Sequence, residues 1–266
     1  MSGTSHSTAL ITGASSGIGA AFARQLAARG YDLILVARRG ERLSALAAEL
    51  QGRYPISAEV LVADLSRPAD LDRVVRRVSE MDGLDLLINN AGFGTTGKFA
   101  EIDLAKQIDM INLHVIASVR LCRAALPAMV AHHRGAIINV ASISAFTPIS
   151  GNATYSATKA YLVTFTESLR AELDGTGVRV QALCPGFTYS EFHDTSEFEE
   201  GHRASIPEVL WTSADKVAAA SLKALERGQT VYIPGFRNRL LVTLVHSRIT
   251  SLLPSRMLRK LLRGKR

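Results

Sequence analysis

Short, largely apolar runs alternate with stretches of helical periodicity along most of this chain. Thr8–Thr12, Asp32–Ala37, Ala58–Ala63, Leu84–Ile88, Ala136–Ala141, Val178–Leu183 and Thr230–Ile233 read as strands. The spacing predicts helices over Ala20–Arg29, Glu41–Leu50, Ala69–Ser79, Asp103–Val130, Ala153–Leu173 and Ala214–Glu226. Strands apolar on both faces need cover on both faces, which selects a parallel sheet between helical layers. Right-handed crossovers then predict an α/β, Rossmann-type doubly wound sheet of seven parallel strands with helices on both faces. No linker or repeat divides residues 1–236, which read as one domain; residues 237–266 read as a basic, amphipathic helical C-terminal extension. Phe187–Leu210 breaks the alternation, and an irregular segment of that length suits a loop over a site.

With 47% apolar residues among 266, the chain can bury a sizeable core. The net charge of +7 sits at one end: residues 237–266 carry nine of the 31 Lys and Arg and no acid, leaving 1–236 at −2. That placement argues against a nucleic-acid-binding domain and for a local anionic partner of the tail. Cys122 and Cys184 lie far apart and outside any CxxC, so neither a disulfide framework nor a metal ligand set is expected. Met1–Ser7 lacks the apolar core of a signal peptide, and no run of about 18 uninterrupted apolar residues appears. A cytoplasmic protein is the expectation.

Gly13, Gly17 and Gly19 fall between the first strand and the first helix, spaced Gly-x-x-x-Gly-x-Gly. Glycines there let backbone N–H groups approach a pyrophosphate at a helix N-terminus, although a tight strand-to-helix turn needs them too. The second strand ends in Val36-Ala37-Arg38-Arg39. A carboxylate there would bond a ribose 2′-hydroxyl; two guanidinium groups suit a 2′-phosphate and favour NADP(H).

Tyr155 and Lys159 stand four apart on a predicted helix and so share one face. An ammonium beside a phenol favours the phenolate and brings its pKa down toward a useful range. By itself the pair also describes an exposed helix face. Ser142, however, directly follows the fifth strand and lies at its carboxyl end, the edge where open α/β sheets bind ligands.

With these residues in place the chain resembles a short-chain dehydrogenase/reductase of the single-domain kind. The matching pieces are Thr12–Gly19 (TGASSGIG), Asp64, Asn89-Asn90-Ala91-Gly92, Asn112, Ser142, Tyr155-Ser-Ala-Thr-Lys159 and Pro185-Gly186. The resemblance implies a catalytic set of Asn112, Ser142, Tyr155 and Lys159. Tyr155 would be the general acid in ketone reduction and the base in alcohol oxidation. Lys159 would lower the Tyr155 pKa and hold the nicotinamide ribose, Ser142 would polarise the carbonyl, and Asn112 would hold a relay water. Cofactor contacts are implied for Gly13, Ser15, Ser16, Gly17, Ile18, Gly19, Arg38, Arg39, Asp64, Leu65, Asn90, Ala91, Gly92, Tyr155, Lys159, Pro185, Gly186 and Thr188. Two departures stand out. Ser190 occupies a position where the family often has threonine, and the chain runs on past Pro234-Gly235, which departs from the short tail many relatives use in tetramer packing.

The expected activity is NADPH-dependent carbonyl reduction, reversible as alcohol oxidation. Ile143, Phe93, Phe187, Tyr189 and Phe192 are candidate walls for a bulky apolar ketone or secondary alcohol of the lipid, steroid, 3-oxoacyl or aromatic kind. The rival reading is a non-catalytic NADP-binding sensor or scaffold, which would be expected to have lost one of the four catalytic positions. A homo-oligomer, dimer or tetramer, is expected, with the long helices at 103–130 and 153–173 as the dimer surface. In the tail, Leu241, Val245, Ile249, Leu252 and Leu253, then Met257, Leu258, Leu261 and Leu262, make apolar faces opposite Arg256, Arg259, Lys260 and Arg263. Such a tail either packs on the protein or lies as a peripheral helix on anionic membrane.

Overall fold

The computed structural model describes residues 7–191 and 208–246. Nine strands lie among them: β1 (Thr8–Thr12), β2 (Asp32–Ala37), β3 (Ala58–Val62), β4 (Leu84–Asn89), β5 (Gly135–Val140), β6 (Val178–Leu183), β7 (Thr188–Tyr189), β8 (Thr212–Ser213) and β9 (Val231–Tyr232). Eight α-helices separate or follow them: α1 (Gly17–Ala27), α2 (Gly40–Arg53), α3 (Pro68–Ser79), α4 (Leu104–Ile111), α5 (Ala117–Ala131), α6 (Ala153–Glu172), α7 (Ala214–Glu226) and α8 (Phe236–His246). Seven strands pair in parallel in the order β3-β2-β1-β4-β5-β6-β9. The order reverses between β1 and β4, and that switch point opens a crevice at the strands' carboxyl ends.

Why these runs become central strands is visible in their alternation. Ala9 and Ile11 of β1, with Leu33 and Leu35 of β2, join one core with Phe22 and Leu26 of α1, Leu43 of α2 and Leu222 of α7. Leu10, Ile34 and Val36 point the other way, into a core with Val74 of α3, Leu121 and Met129 of α5 and Leu169 of α6. Both faces are therefore dry, as the unbroken apolar runs require. Each fully buried Leu, Ile or Phe contributes about 1.5–3 kcal/mol of transfer free energy. A buried polar chain crosses the core: the Asn89 side-chain N–H donates to Asn139 Oδ1 at 2.8 Å, and Asn139 Nδ2 donates to Thr166 Oγ1 at 2.9 Å, tying β4 to β5 and α6.

The predicted helix over Asp103–Val130 is one rod with a defect. Asp103 caps it by accepting from Ala105 N at 2.9 Å, worth about 1 kcal/mol. A π-helical turn, Asn112–Ile116, then separates α4 from α5, and Ala117 N donates to Asn112 O. Leu104–Ala131 is long and apolar enough to cross a membrane by length and composition, with a mean hydropathy of 1.4 over an 18-residue window. Charged residues such as Lys106, Asp109 and Arg120 interrupt it, so no unbroken apolar run announced it in sequence. Here the rod packs on α3, α6, β4 and β5.

Part of the irregular stretch after β6 is ordered into a small parallel pair, β7 with β8. Trp211 braces it, its ring 5.1 Å from that of Tyr189 and 5.7 Å from that of Phe187. The expectations for Phe192 and for the tail beyond His246 fall outside the described residues. Before that point α8 is docked, not free. Asn238 and Val242 are buried, and Asn238 Nδ2 donates to Pro234 O at 2.8 Å.

Candidate active site

Ser142 leaves β5 in extended conformation (φ −168°, ψ 158°) and opens a short 3₁₀ turn, its Oγ accepting from Ser144 N at 3.1 Å. Ile143 N donates to Pro185 O at 3.0 Å, so the ends of β5 and β6 are stitched together around it. Tyr155 stands in the first turn of α6 and Lys159 one turn on. The Ser142 hydroxyl hydrogen-bonds the Tyr155 phenol. Lys159 is 4% exposed, and its Nζ lies 5.6 Å from the Tyr155 ring centroid. The structure thus brings Ser142, Tyr155 and Lys159 into one cleft. Asn112, half-buried, begins the π turn that packs against α6 beside them. π-Turns inside α-helices are frequent at functional sites.

The electrostatics differ from the sequence expectation at one point. Lys159 was expected to lower the Tyr155 pKa. Instead burial pushes the phenol up to about 12, only partly opposed by the Ser142 hydrogen bond. The lysine is committed elsewhere. Lys159 Nζ is turned to Val140 O, donating at 2.9 Å, and so serves the backbone and not the phenol oxygen. Its own burial brings the ammonium down to about 8, which leaves it largely protonated at neutral pH. At neutral pH the phenol keeps its proton.

His114 completes the cleft and was not singled out in sequence. It is 1% exposed within the π turn. Its ring stands edge-on to Tyr155 with centroids 5.8 Å apart. Nε2 accepts from Phe93 N at 3.2 Å, so Nδ1 carries the proton and donates to Thr158 Oγ1 at 2.9 Å. Burial first, and the Lys159 charge second, hold its pKa well below the ordinary histidine value, so the ring is neutral. Gly92 must be glycine here, since a Cβ would lie 2.7 Å from His114 Nε2. A lone His in an apolar helix gave no signal of this contact, which depends on how β4 and α6 meet.

The glycine turn lies at the other end of the crevice. Gly13 and Gly17 adopt φ of +66° and +55°, and a Cβ on Gly19 would sit 2.3 Å from Gly13 O. The Thr12 hydroxyl anchors the turn to the Asn89–Gly92 strand end: it accepts from Asn90 N at 2.9 Å and Ala91 N at 3.0 Å. Asn90 Nδ2 donates back to Thr12 O at 2.8 Å. Ser16 is the N-cap of α1, yet its side chain makes no cap hydrogen bond, so the first N–H groups of α1 are left for an anion. These features fit a dinucleotide pyrophosphate.

Arg39 donates to Ser15 Oγ at 3.0 Å, to Ser16 Oγ at 2.8 Å and to Glu191 Oε2 at 2.6 Å; Arg42 also binds Glu191. Hydrogen bonds from Arg39 and then Arg42 hold the Glu191 carboxyl below its usual pKa. Arg38 is the more exposed of the predicted pair and lies 3.9 Å from Asp64 Oδ2. Asp64 Oδ1 accepts from Ser66 Oγ at 2.7 Å, and Leu65 is buried beside it. Thr188 and the Pro185-Gly186 bend border the crevice from β6, where Thr188 Oγ1 donates to Gly186 O at 3.0 Å.

Residues 7–200 match the family described as short chain dehydrogenase. An uncharacterized oxidoreductase of Myxococcus xanthus is 40% identical over 202 residues, 74% of this chain and 78% of that protein. Among solved structures, a short-chain dehydrogenase from Sphingobium yanoikuyae in complex with NADPH has a TM-score of 0.82 at 36% identity, covering 94% of this chain and 97% of the other. The bulky-bulky ketone specific alcohol dehydrogenase from Comamonas testosteroni has a TM-score of 0.79 at 31% identity, covering 95% and 96%. Motif, topology and likeness agree: the chain belongs to the short-chain dehydrogenase/reductase family of oxidoreductases.

Proposed function

We propose an NADPH-dependent carbonyl reductase, reversible as an alcohol dehydrogenase, acting on a bulky apolar ketone or secondary alcohol. The observation that carries it is the single cleft holding Ser142, Tyr155 and Lys159 at the carboxyl ends of β5 and β6. NADP(H) would be held by the N-terminus of α1 and the glycine turn, by Arg38 and Arg39 at the end of β2, by Asp64, Leu65 and Asn90–Gly92, and by Pro185, Gly186 and Thr188. When bound, the reduced nicotinamide supplies the hydride. Tyr155 donates its phenolic proton to the carbonyl oxygen, and the Tyr155 pKa of about 12 keeps that proton in place at neutral pH. Ser142, its Oγ accepting from Ser144 N, would turn its hydroxyl proton from the Tyr155 phenol to the same carbonyl oxygen. Lys159 supplies a cation behind the phenol, and His114, neutral and fixed by Phe93 and Thr158, props the Tyr155 ring.

Support for NADP(H) comes from the arginines after β2 and from the NADPH-bound relative. Support for a bulky substrate comes from Phe93, its ring 6.1 Å from that of His114, from Ile143 next to Ser142, and from the bulky-ketone relative. The outward stripe of Leu104, Ile108, Ile111 and Ile116, with Tyr161 on α6, is exposed and supports a homodimer through these helices. Residues 1–236 are proposed as the catalytic body and 237–266 as an extension whose first turns dock through Asn238 and Val242. A panel of lipid, steroid, 3-oxoacyl and aromatic ketones, followed by nicotinamide absorbance with each cofactor, tests the reading. Turnover of a bulky ketone with kcat/KM higher for NADPH than NADH is expected; an NADH preference would overturn the cofactor assignment. A non-catalytic scaffold predicts no turnover across the whole panel.

A further inference from the structure

Glu191 occupies an unusual position for a surface acid. It follows β7, 152 residues from Arg39, yet its carboxylate bridges the guanidinium groups of Arg39 and Arg42. Arg39 is the N-cap residue of α2 and Arg42 lies in its first turn, so the carboxylate also faces the positive end of a 14-residue helix. The same Arg39 is bound to Ser15 and Ser16 of the glycine turn. Two guanidinium groups therefore hold one monoanion, and one of them is itself tied to the serines of the turn. A phosphate monoester would use the same N–H donors, with more charge and a third oxygen.

Glu191 also positions its neighbour. Ser190 crosses the turn so closely that a Cβ on Gly17 would lie 2.9 Å from Ser190 Cβ. The chain from Thr188 to Glu191 thus covers the glycine turn at Gly17 and is pinned at its end by the two arginines. All three charged side chains are 44–51% exposed, so the clasp is a surface ion pair of modest strength that a better anion can displace.

We propose that Glu191 is a built-in competitor for the nucleotide 2′-phosphate, with Arg39 and Arg42 as the two arms both anions use. This rests on the NADP(H) reading and extends it to Arg42 and Glu191. A 2′-phosphorylated nucleotide takes the arginines, releases Glu191 and frees Ser190 from its place over Gly17. A nucleotide with a bare 2′-hydroxyl offers the arginines nothing in exchange. Glu191 thereby lowers the affinity for the 2′-phosphorylated nucleotide, which must displace it from both arginines.

Calorimetric titration of the full chain with 2′,5′-ADP and with 5′-AMP tests this without turnover. Glu191→Gln removes the charge at an exposed site and should tighten 2′,5′-ADP about three- to tenfold, with the gain shrinking as salt rises. Arg42→Ala should weaken 2′,5′-ADP by a similar factor and leave 5′-AMP nearly unchanged. If wild-type protein prefers 2′,5′-ADP but Glu191→Gln binds it no more tightly, the competitor role is wrong and the NADP(H) reading stands. If wild type and both variants bind the two nucleotides equally, the NADP(H) reading itself fails, and the proposal with it.

Discussion

At the scale of single residues, the cleft is governed by desolvation more than by charge. Lys159 is buried, and its pKa is brought from 10.5 to about 8. The sign follows directly. Below about pH 8 both folded and unfolded chains carry the proton, and the full cost of a buried ammonium is present. Between about 8 and 10.5 the unfolded chain keeps the proton that the folded chain has lost, so this contribution to stability rises with pH. Denaturant titrations of wild type and Lys159→Met should show the difference moving in favour of wild type across that window, by as much as ~3 kcal/mol. A difference that stays flat with pH would mean Lys159 is not strained by burial. Tyr155, Lys159 and Ser142 were legible in sequence because helical spacing and a strand end fix their neighbourhood. Their electrostatics were not, because the Val140 carbonyl that holds Nζ is set by packing between β5 and α6. His114 and Glu191 were illegible for the same kind of reason: their partners are distant in sequence and arrive only with the fold.

At the scale of elements, the glycine turn is a close contact as much as a ligand cradle. A Gly19→Ala side chain would meet Gly13 O at 2.3 Å, and the neighbour is backbone with little room to yield. Overpacking of this kind costs about 1–3 kcal/mol. A lower melting temperature together with loss of 2′,5′-ADP binding is expected; a variant that melts and binds like wild type would show that the turn is not held in this form. The seven-stranded sheet and six of its helices could be read from the sequence because unbroken apolar runs leave few alternatives. Boundaries moved by a few residues: α1 begins at Gly17, where Ala20 was predicted, because a turn glycine carries no apolar signal. The π turn at Asn112–Ile116 was read as ordinary helix, since a hydrogen bond shifted by one residue leaves the apolar spacing almost unchanged. The β7/β8 pair was missed because two-residue strands have no periodicity to detect.

At the scale of the whole molecule, α4, the π turn and α6 present Leu104, Ile108, Ile111, Ile116 and Tyr161 outward. If the proposed homodimer forms through these helices, Ile108→Glu combined with Ile111→Glu should convert it to a monomer in light scattering and leave the fold intact. An unchanged mass would move the interface elsewhere. The doubly wound sheet gathers the glycine turn, the arginines after β2 and the Ser142–Tyr155–Lys159 cleft along one edge, although they are spread over some 150 residues of sequence. That convergence is what makes hydride exchange with a carbonyl the reading of this chain, with the proton passing through one phenol. Tyr155→Phe tests it most directly, since it deletes a single oxygen from a ring that stays packed against His114. The account predicts that ketone reduction with NADPH falls at least about a thousandfold while NADPH titrates the variant almost as it does wild type. Retained turnover in that variant would contradict it.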